Sequence, residues 1–560
     1  MKKILYIAIF FIMVSCAKVL DIDPLDEFSE TTIWNDENLV ECFVNNVYLA
    51  VDAYKTGGYG PCSATDQVYE QFWYWTCSNY LVQGTLTPEK AYRIGSYMWW
   101  KDGDGGRWQR FYAFIRETNV FFSKIDEVEG DEDFINRMKG EMYFLRAYSY
   151  CQLIDYYGGV PIVEDVYDVN STDYDAARDT YQDCIDYIVK QLDEAISLLP
   201  DSYTGIDVGR ATKGAAMAMK ARELLYAASP LYNGATFNAD YQDGQWNTVR
   251  LNEAKIATKA VLDLPQYTLY EPENYNRIFC DKNNSEVIFA RYFSGDVTIE
   301  HENRYAREMG PNSIGGWSAY NPLQQFVDQF QMADGSEFDW NNPTEAADPY
   351  ANREKRFYAD IYYDGATYKY GSNEMTLQMY VGGLDSPESS LYAWNASETG
   401  YLCKKHQDDT EDWYTDDTQN DMWIIYRLSE FYLNYAEILC ELNKPGDALD
   451  WVNPIRVRAG LPKITTTNQD ELREKIHHER NIELCFEGQH YQDVRRWGIY
   501  KDVLSEDGLG ISITKAEDGT KTYKTKITQV RTYDPKVWFM SLTRDELQKD
   551  LNLENNPGYD

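Results

Sequence analysis

The densest chemistry in this chain lies between Glu479 and Arg496. Glu479, Arg480, Glu483, Glu487, Asp493, Arg495 and Arg496 supply carboxylates and guanidinium groups, the residue types of paired acid–base work. Their spacing points elsewhere. Steps of four put Glu479, Glu483 and Glu487 along one side of a helix, where Arg480 and the later arginines can pair with them. A buried ionic network locking helices together accounts for this pattern better than an active site. Arg427 with Glu430 and Glu437 reads the same way, and no catalytic residue is assigned.

Metal chemistry finds little support. His477 and His478 lack a third ligand at metal spacing and read as solvated helix residues. The acidic run Asp408, Asp409, Glu411, Asp412, Asp416, Asp417 and Asp421 offers oxygen ligands for a structural calcium ion, but without the ordered spacing of a calcium loop. A solvated acidic loop is the simpler reading, and no cofactor is expected. The turn Gly103-Asp104-Gly105-Gly106 has no following Lys-Ser/Thr, so it is not a phosphate loop.

The aromatic residues are a different matter. The chain holds 47 tyrosines and 15 tryptophans, more amphipathic rings than packing needs. Trp73 and Trp75 stand two apart and Trp99 adjoins Trp100, in a stretch rich in Gly, Ser and Thr with no helical or strand period. Gly315-Gly316-Trp317 with Tyr320 forms a second aromatic loop before Pro322. Flat apolar faces with polar edges suit sugars and peptides equally. Trp73, Trp75, Trp99, Trp100, Trp317 and Tyr320 are the candidate ligand-binding residues, with Asp66, Asn303 and Arg304 as possible polar partners.

Helices must position these loops. Apolar periodicity predicts them over 38–51, 107–125, 134–157, 179–199, 212–229, 252–262, 426–442, 447–459 and 471–489. Gly158-Gly159-Val160-Pro161, Pro200, Pro230 and Lys444-Pro445-Gly446 supply the stops. Residues 433–459 fit one tetratricopeptide-like unit, a helix, a Pro-Gly turn and a second helix opening with Ala448. The pairs are unevenly spaced, which predicts irregular repeats rather than a clean solenoid. A short strand is expected over 286–293, and residues 300–425 read as mostly irregular.

Lys and Arg number 53 against 91 Asp and Glu, a net charge of −38. Nucleic acids and anionic lipid headgroups would be repelled. The start is Met1-Lys2-Lys3, then an apolar run from Ile4 to Val14, then Ser15-Cys16. The run is too short for a stable membrane span and resembles a bacterial lipoprotein signal. Residues 1–15 are then a signal peptide, Cys16 the lipidated residue, and 16–30 an acidic tether. Of the ten cysteines, Cys151, Cys440 and Cys485 fall in helical patterns and read as buried thiols. Cys62 and Cys77 are a possible disulfide.

Six motifs then converge in order: Phe144-Leu145-Arg146-Ala147-Tyr148 with Tyr157-Gly158-Gly159-Val160-Pro161; Thr212-Lys213-Gly214-Ala215-Ala216 to Leu231-Tyr232; Ser285-Glu286-Val287-Ile288-Phe289; Tyr426-Arg427-Leu428-Ser429-Glu430 with Ala436-Glu437; Glu479-Arg480 through Arg495-Arg496-Trp497; and Asn555-Asn556-Pro557-Gly558-Tyr559. Together they resemble the SusD/RagB family of nutrient-binding outer-membrane lipoproteins of Bacteroidetes. His490 departs from the pattern, standing where an arginine is common.

The resemblance implies a mainly α fold, with irregular tetratricopeptide-like helix pairs packed against a loop-rich ligand-binding part with a few short strands. It implies a single domain over 31–560, with an N-terminal part at 31–235 and a C-terminal part at 285–560. It also implies a glycan-binding lipoprotein, not an enzyme, anchored in the outer membrane and facing the cell exterior. Its partner would be a SusC-like TonB-dependent barrel that receives the captured oligosaccharide. A peptide receptor of the RagB type is the alternative within binding. A glycoside hydrolase, needing two carboxylates about 5–10 Å apart in a cleft, and a purely structural surface protein are the rivals outside it.

Overall fold

The computed structural model describes residues 33–51, 59–72, 78–93, 106–167, 176–234, 244–271, 273, 275–294, 304–389, 391, 393–416 and 422–559. The fold is mainly helical, as expected. The longer helices are α1 Glu37–Val47, α2 Gly106–Lys124, α3 Glu132–Tyr157, α4 Tyr181–Leu198, α5 Lys213–Ala228, α6 Thr248–Leu262, α7 Leu428–Glu441, α8 Pro445–Arg458, α9 Gln469–Glu483 and α10 Gln489–Arg496. Side chains cap their starts: Asp131 accepts from the Asp133 and Phe134 amides, Thr212 from Ala215 and Asn468 from Glu471.

The helices pair in sequence order. α2 packs on α3, α3 on α4, α4 on α5, α5 on α6 and α7 on α8. The stack does not stop at α6, because α7 docks on α6 across the whole intervening segment and also packs on α9. Small residues make this closeness possible. In α5, Gly214, Ala215, Ala216, Ala218, Ala221, Ala227 and Ala228 are all buried. A Cβ on Gly214 would lie 2.4 Å from the Tyr267 hydroxyl. The principal core runs through α1 to α5, and a separate one joins α7, α8 and α9 through Leu433, Val452, Leu472 and Ile476.

The turn after α3 is sealed by the far end of the chain. Gly158 takes a left-handed φ of 76°, and a Cβ on Gly159 would sit 2.1 Å from the Asp179 carbonyl. Asn556 donates to the carbonyls of Tyr157 (3.0 Å) and Met540 (2.7 Å), and Arg178 donates to Gly159, Tyr157 and the Asn556 side chain. Two of the sequence motifs therefore meet in one contact.

The strands form five antiparallel two-stranded ladders: β1 Val68–Glu70 with β3 Tyr320–Pro322, β2 Val287–Tyr292 with β8 Met422–Arg427, β4 Ile361–Tyr362 with β7 Leu402–Cys403, β5 Thr367–Tyr370 with β6 Asn373–Thr376, and β9 Gly508–Lys515 with β10 Lys521–Gln529. A second large core lies beneath them, built from Phe326, Phe330, Phe357, Tyr401, Phe486, Ile511 and Ile513.

Two helix expectations are corrected. The helix expected from Tyr426 starts at Leu428, because the β-branched and aromatic run Ile424-Ile425-Tyr426 belongs to β8 and pairs with β2. The helix expected over 471–489 ends at Glu483; residues 484–488 are a turn, and α10 starts only at Gln489. Phe486 (φ 63°) and Gly488 (φ 86°) both adopt the left-handed conformation and break it.

Candidate functional site

The charged motif forms a sealed seam. Glu286, Glu354, Glu479, Glu483 and Glu487 meet Arg356, Lys405, Arg427, Arg456 and Arg458, five anions against five cations, with side chains 0–7% exposed. Arg427 uses every donor it has: Nε and Nη2 bond Glu487, Nη1 bonds Glu286 (2.9 Å) and Glu483 (2.8 Å), and Nη2 also reaches the Glu483 carbonyl. Burial alone would push the Glu483 carboxyl up, but Arg458, Arg427 and Arg356 hold it well below the usual carboxylate range. The members come from the start of β2, the end of β8, α8, α9 and the 354–405 segment. The seam therefore joins the helical stack to the loop-rich part. Each of its carboxylates is paired with one or more protein cations, and Glu487 also lines a small cavity.

A second buried set pins α10. Arg480 and Arg496 share Asp493, and Arg496 also grips Glu437, which accepts from the Trp497 indole at 2.9 Å. Burial opposes ionisation of Glu437, yet Arg496 outweighs it and the carboxyl falls to about 2. Glu430 pairs with Arg222 rather than with Arg427. The histidines are not solvated as expected: His477 stacks on Trp497 at 3.6 Å, and burial, opposed by Glu437, draws it down to about 4. His490 bonds Asp66 at 2.7 Å, and Gln329 holds the other Asp66 oxygen, so Asp66 is spent on the scaffold. The acidic run is also partly structural, since Asp408 is buried against Arg277.

Not every buried carboxyl is matched. Asp155 on α3 and Glu223 on α5 each keep one oxygen without a hydrogen-bond donor. Burial pushes the Asp155 carboxyl up to about 6 despite Arg222 nearby, and burial with Asp155 raises Glu223 well above its ordinary value. A cavity of about 60 Å³ opens beside Asp155, between Arg222, Tyr226, Trp423 and Gln492.

The aromatic corner is built differently. β1 and β3 pair from Val68 opposite Pro322 to Glu70 opposite Tyr320, and the Gln71 amide extends the ladder to the Ala319 carbonyl. Just before β3, Gly315 takes φ 82°, and a Cβ on Gly316 would lie 2.2 Å from the Gly310 backbone. These glycines fold the 310–317 loop tightly and leave Trp317 half-buried against the second core. Across β1, Trp394 meets the Phe72 ring edge-on at 6.4 Å, and the Gln71 side chain donates to the Trp394 carbonyl. Trp394 is 63% exposed. Leu384 and Leu391 are exposed beside it, tied through Asn312 to the Trp317 loop.

Of the six candidate rings, Trp73, Trp75, Trp99 and Trp100 lie outside the described residues, as do Asn303, Cys77 and the lipidation residue Cys16. Trp317 is half-buried against the second core. Tyr320 does not present its ring: it is 2% exposed, a β3 residue packed into the second core, and its selection as a ligand contact is corrected on that ground. Arg304 precedes the helix Tyr305–Met309 on the exposed side. Cys62 is a buried free thiol, as are Cys151, Cys440 and Cys485. Sequence reasoning missed Trp394. Its only signal was a tryptophan between Ala393 and Asn395 in a segment with no period to bury it. A wider groove of about 750 Å³ lies between α8 and residues 269–275, lined by both charge signs but by no exposed ring.

No described helix is long and apolar enough to cross a membrane. The SusD family model matches residues 285–559, and a second, described as starch-binding and associating with the outer membrane, matches 20–225. A SusD-like protein of Formosa agariphila is 22% identical over 535 residues, covering 90% of this chain and 94% of the relative. The crystal structure of a SusD-like protein from Bacteroides fragilis is 28% identical, covers 96% of this chain and all of that one, and superposes with a TM-score of 0.79. A SusD-like carbohydrate-binding protein from the same species is 23% identical, covers 93% and 100%, and gives a TM-score of 0.77. The chain belongs to the SusD/RagB family.

Proposed function

We propose that this protein captures glycan chains at the outer surface of the cell and passes them to a SusC-like TonB-dependent barrel, without cleaving them. The observation that carries the binding is the exposed Trp394, set edge-on against Phe72 on a braced corner in a chain of strongly negative charge. Rings of this kind stack on the apolar faces of sugars, and each stacked ring adds about 1 kcal/mol beyond burial. A sibling named as carbohydrate-binding supports the ligand class, and the family supports a role without catalysis. Attachment through Cys16 and delivery to a barrel rest on the signal-like start and on the outer-membrane association in the family description. Native electrophoresis of residues 17–560 through gels containing soluble starch or laminarin, with a casein-peptide mixture assayed in parallel by calorimetry, tests the reading. Retardation by a polysaccharide without release of reducing ends is expected. Heat on peptide addition with no retardation, or hydrolysis, overturns it.

A further inference from the structure

We infer that Asp385 and Asn312 form a reciprocal clip that fixes the loop carrying Trp317 to the 384–391 segment leading to Trp394, so that the exposed Trp394 ring is held in a preset position. The functional half rests on the glycan-binding reading; the clip itself rests on geometry. Asp385 is buried, and both carboxylate oxygens accept backbone amides: Oδ1 from Ser313 at 3.0 Å and Oδ2 from Gln378 at 3.0 Å. Its own amide donates back to the Gln378 carbonyl, closing the 378–385 loop into a ring. In return Asn312, also buried, donates its side-chain amide to the carbonyls of Leu384 (3.4 Å) and Leu391 (3.3 Å). Each loop thus holds the other's backbone by a side chain.

Other ties keep this pair from drifting. Asp364 accepts the Met379 and Tyr380 amides, and the Val381 amide donates to the Ile513 carbonyl of β9. On the other loop, the Trp317 and Ala319 amides donate to the carbonyls of Arg307 and Glu308. Exposed rings on mobile loops lose affinity to the cost of ordering them; rings on a preset platform do not. Asp385 and Asn312 are therefore positioning residues, and neither needs to touch ligand.

Asp385→Asn separates this role from general packing. One of the two amides then faces an amide donor instead of an acceptor. Hydrogen exchange of peptides covering 311–319 and 376–386 is expected to quicken by about tenfold, with α3 and α5 unchanged. In laminarin or starch gels, whichever retards the wild-type chain, affinity is expected to fall about fivefold, with no further loss when the change is made in a Trp394→Ala background. Unchanged exchange in both loops, or full additivity with Trp394→Ala, overturns the inference. If neither polysaccharide retards the wild-type chain, the glycan reading fails, and the exchange data alone decide the clip. Asn312→Ala reads the other half and serves if Asp385→Asn does not fold.

Discussion

The seam and the aromatic corner use opposite strategies. In the seam, ten charged side chains are taken out of water and paired with one another, with only single donors of Arg356 and Arg458 left unpaired. At the corner, Asp385 and Asn312 hold backbone groups of the facing loop and a large ring is left uncovered. The contrast teaches that conspicuous chemistry in a sequence need not be functional chemistry. Charges that satisfy each other hold the molecule together; an unsatisfied apolar face is what remains to meet a ligand.

Four changes probe that division. Glu483→Ala should cost most, about 3–5 kcal/mol, because Arg356, Arg427 and Arg458 would lose a shared buried counter-charge. Urea unfolding measures it, and a loss under about 1 kcal/mol would break the idea that the seam is structural. Asp155→Asn comes next. A carboxyl at about 6 in the folded state against 3.8 unfolded favours folding fully below pH 3.8 and loses that contribution as pH rises through 6. The loss is on the order of 2–3 kcal/mol, and unfolding of Asp155→Asn from pH 4 to 7 should show a shallower decline, the remainder coming from Glu223. The set that pins α10 runs the other way: Glu437, held at about 2, favours folding above its unfolded 4.5 and loses that as pH falls through 2.

Trp394→Ala should leave urea stability within about 0.5 kcal/mol while weakening polysaccharide binding by about tenfold. A stability loss in place of a binding loss would erase the distinction between the two regions. Tyr320→Phe sharpens it most finely. Its ring is packed, so affinity should stay unchanged and stability should move by no more than about 1 kcal/mol. A large affinity loss would return Tyr320 to the binding face.

Much of this was legible in the sequence because the relevant forces are local. The period of Leu428, Phe431, Tyr435 and Leu439 and the cap at Thr212 mark helices directly. The seam was legible as a network but not as a set of partners. Arg427 pairs across more than fifty residues with Glu483 and Glu487, and Glu430 is claimed by Arg222 from α5. Such choices are tertiary and leave no spacing to read. The break at Phe486 was hidden because a phenylalanine carries no signal for a left-handed backbone. His477 looked solvated because its stacking partner, Trp497, arrives only after the chain turns back. Trp394 was invisible for the same reason that makes it a candidate contact: no periodic face claims it.

The contact between Asn556 and the Tyr157 carbonyl spans 399 residues, and that separation sets a clock. At synthesis rates of roughly 5–20 residues per second, the turn after α3 exists for about 20–80 s before its seal is made. Helices α2 to α6 can pair as they emerge, since each packs on the one before it. The joint that α7 completes waits for residues 428–441, and the seal that Asn556 makes comes later still. A chain that has not yet reached Asn556 therefore lacks the seal on the turn after α3.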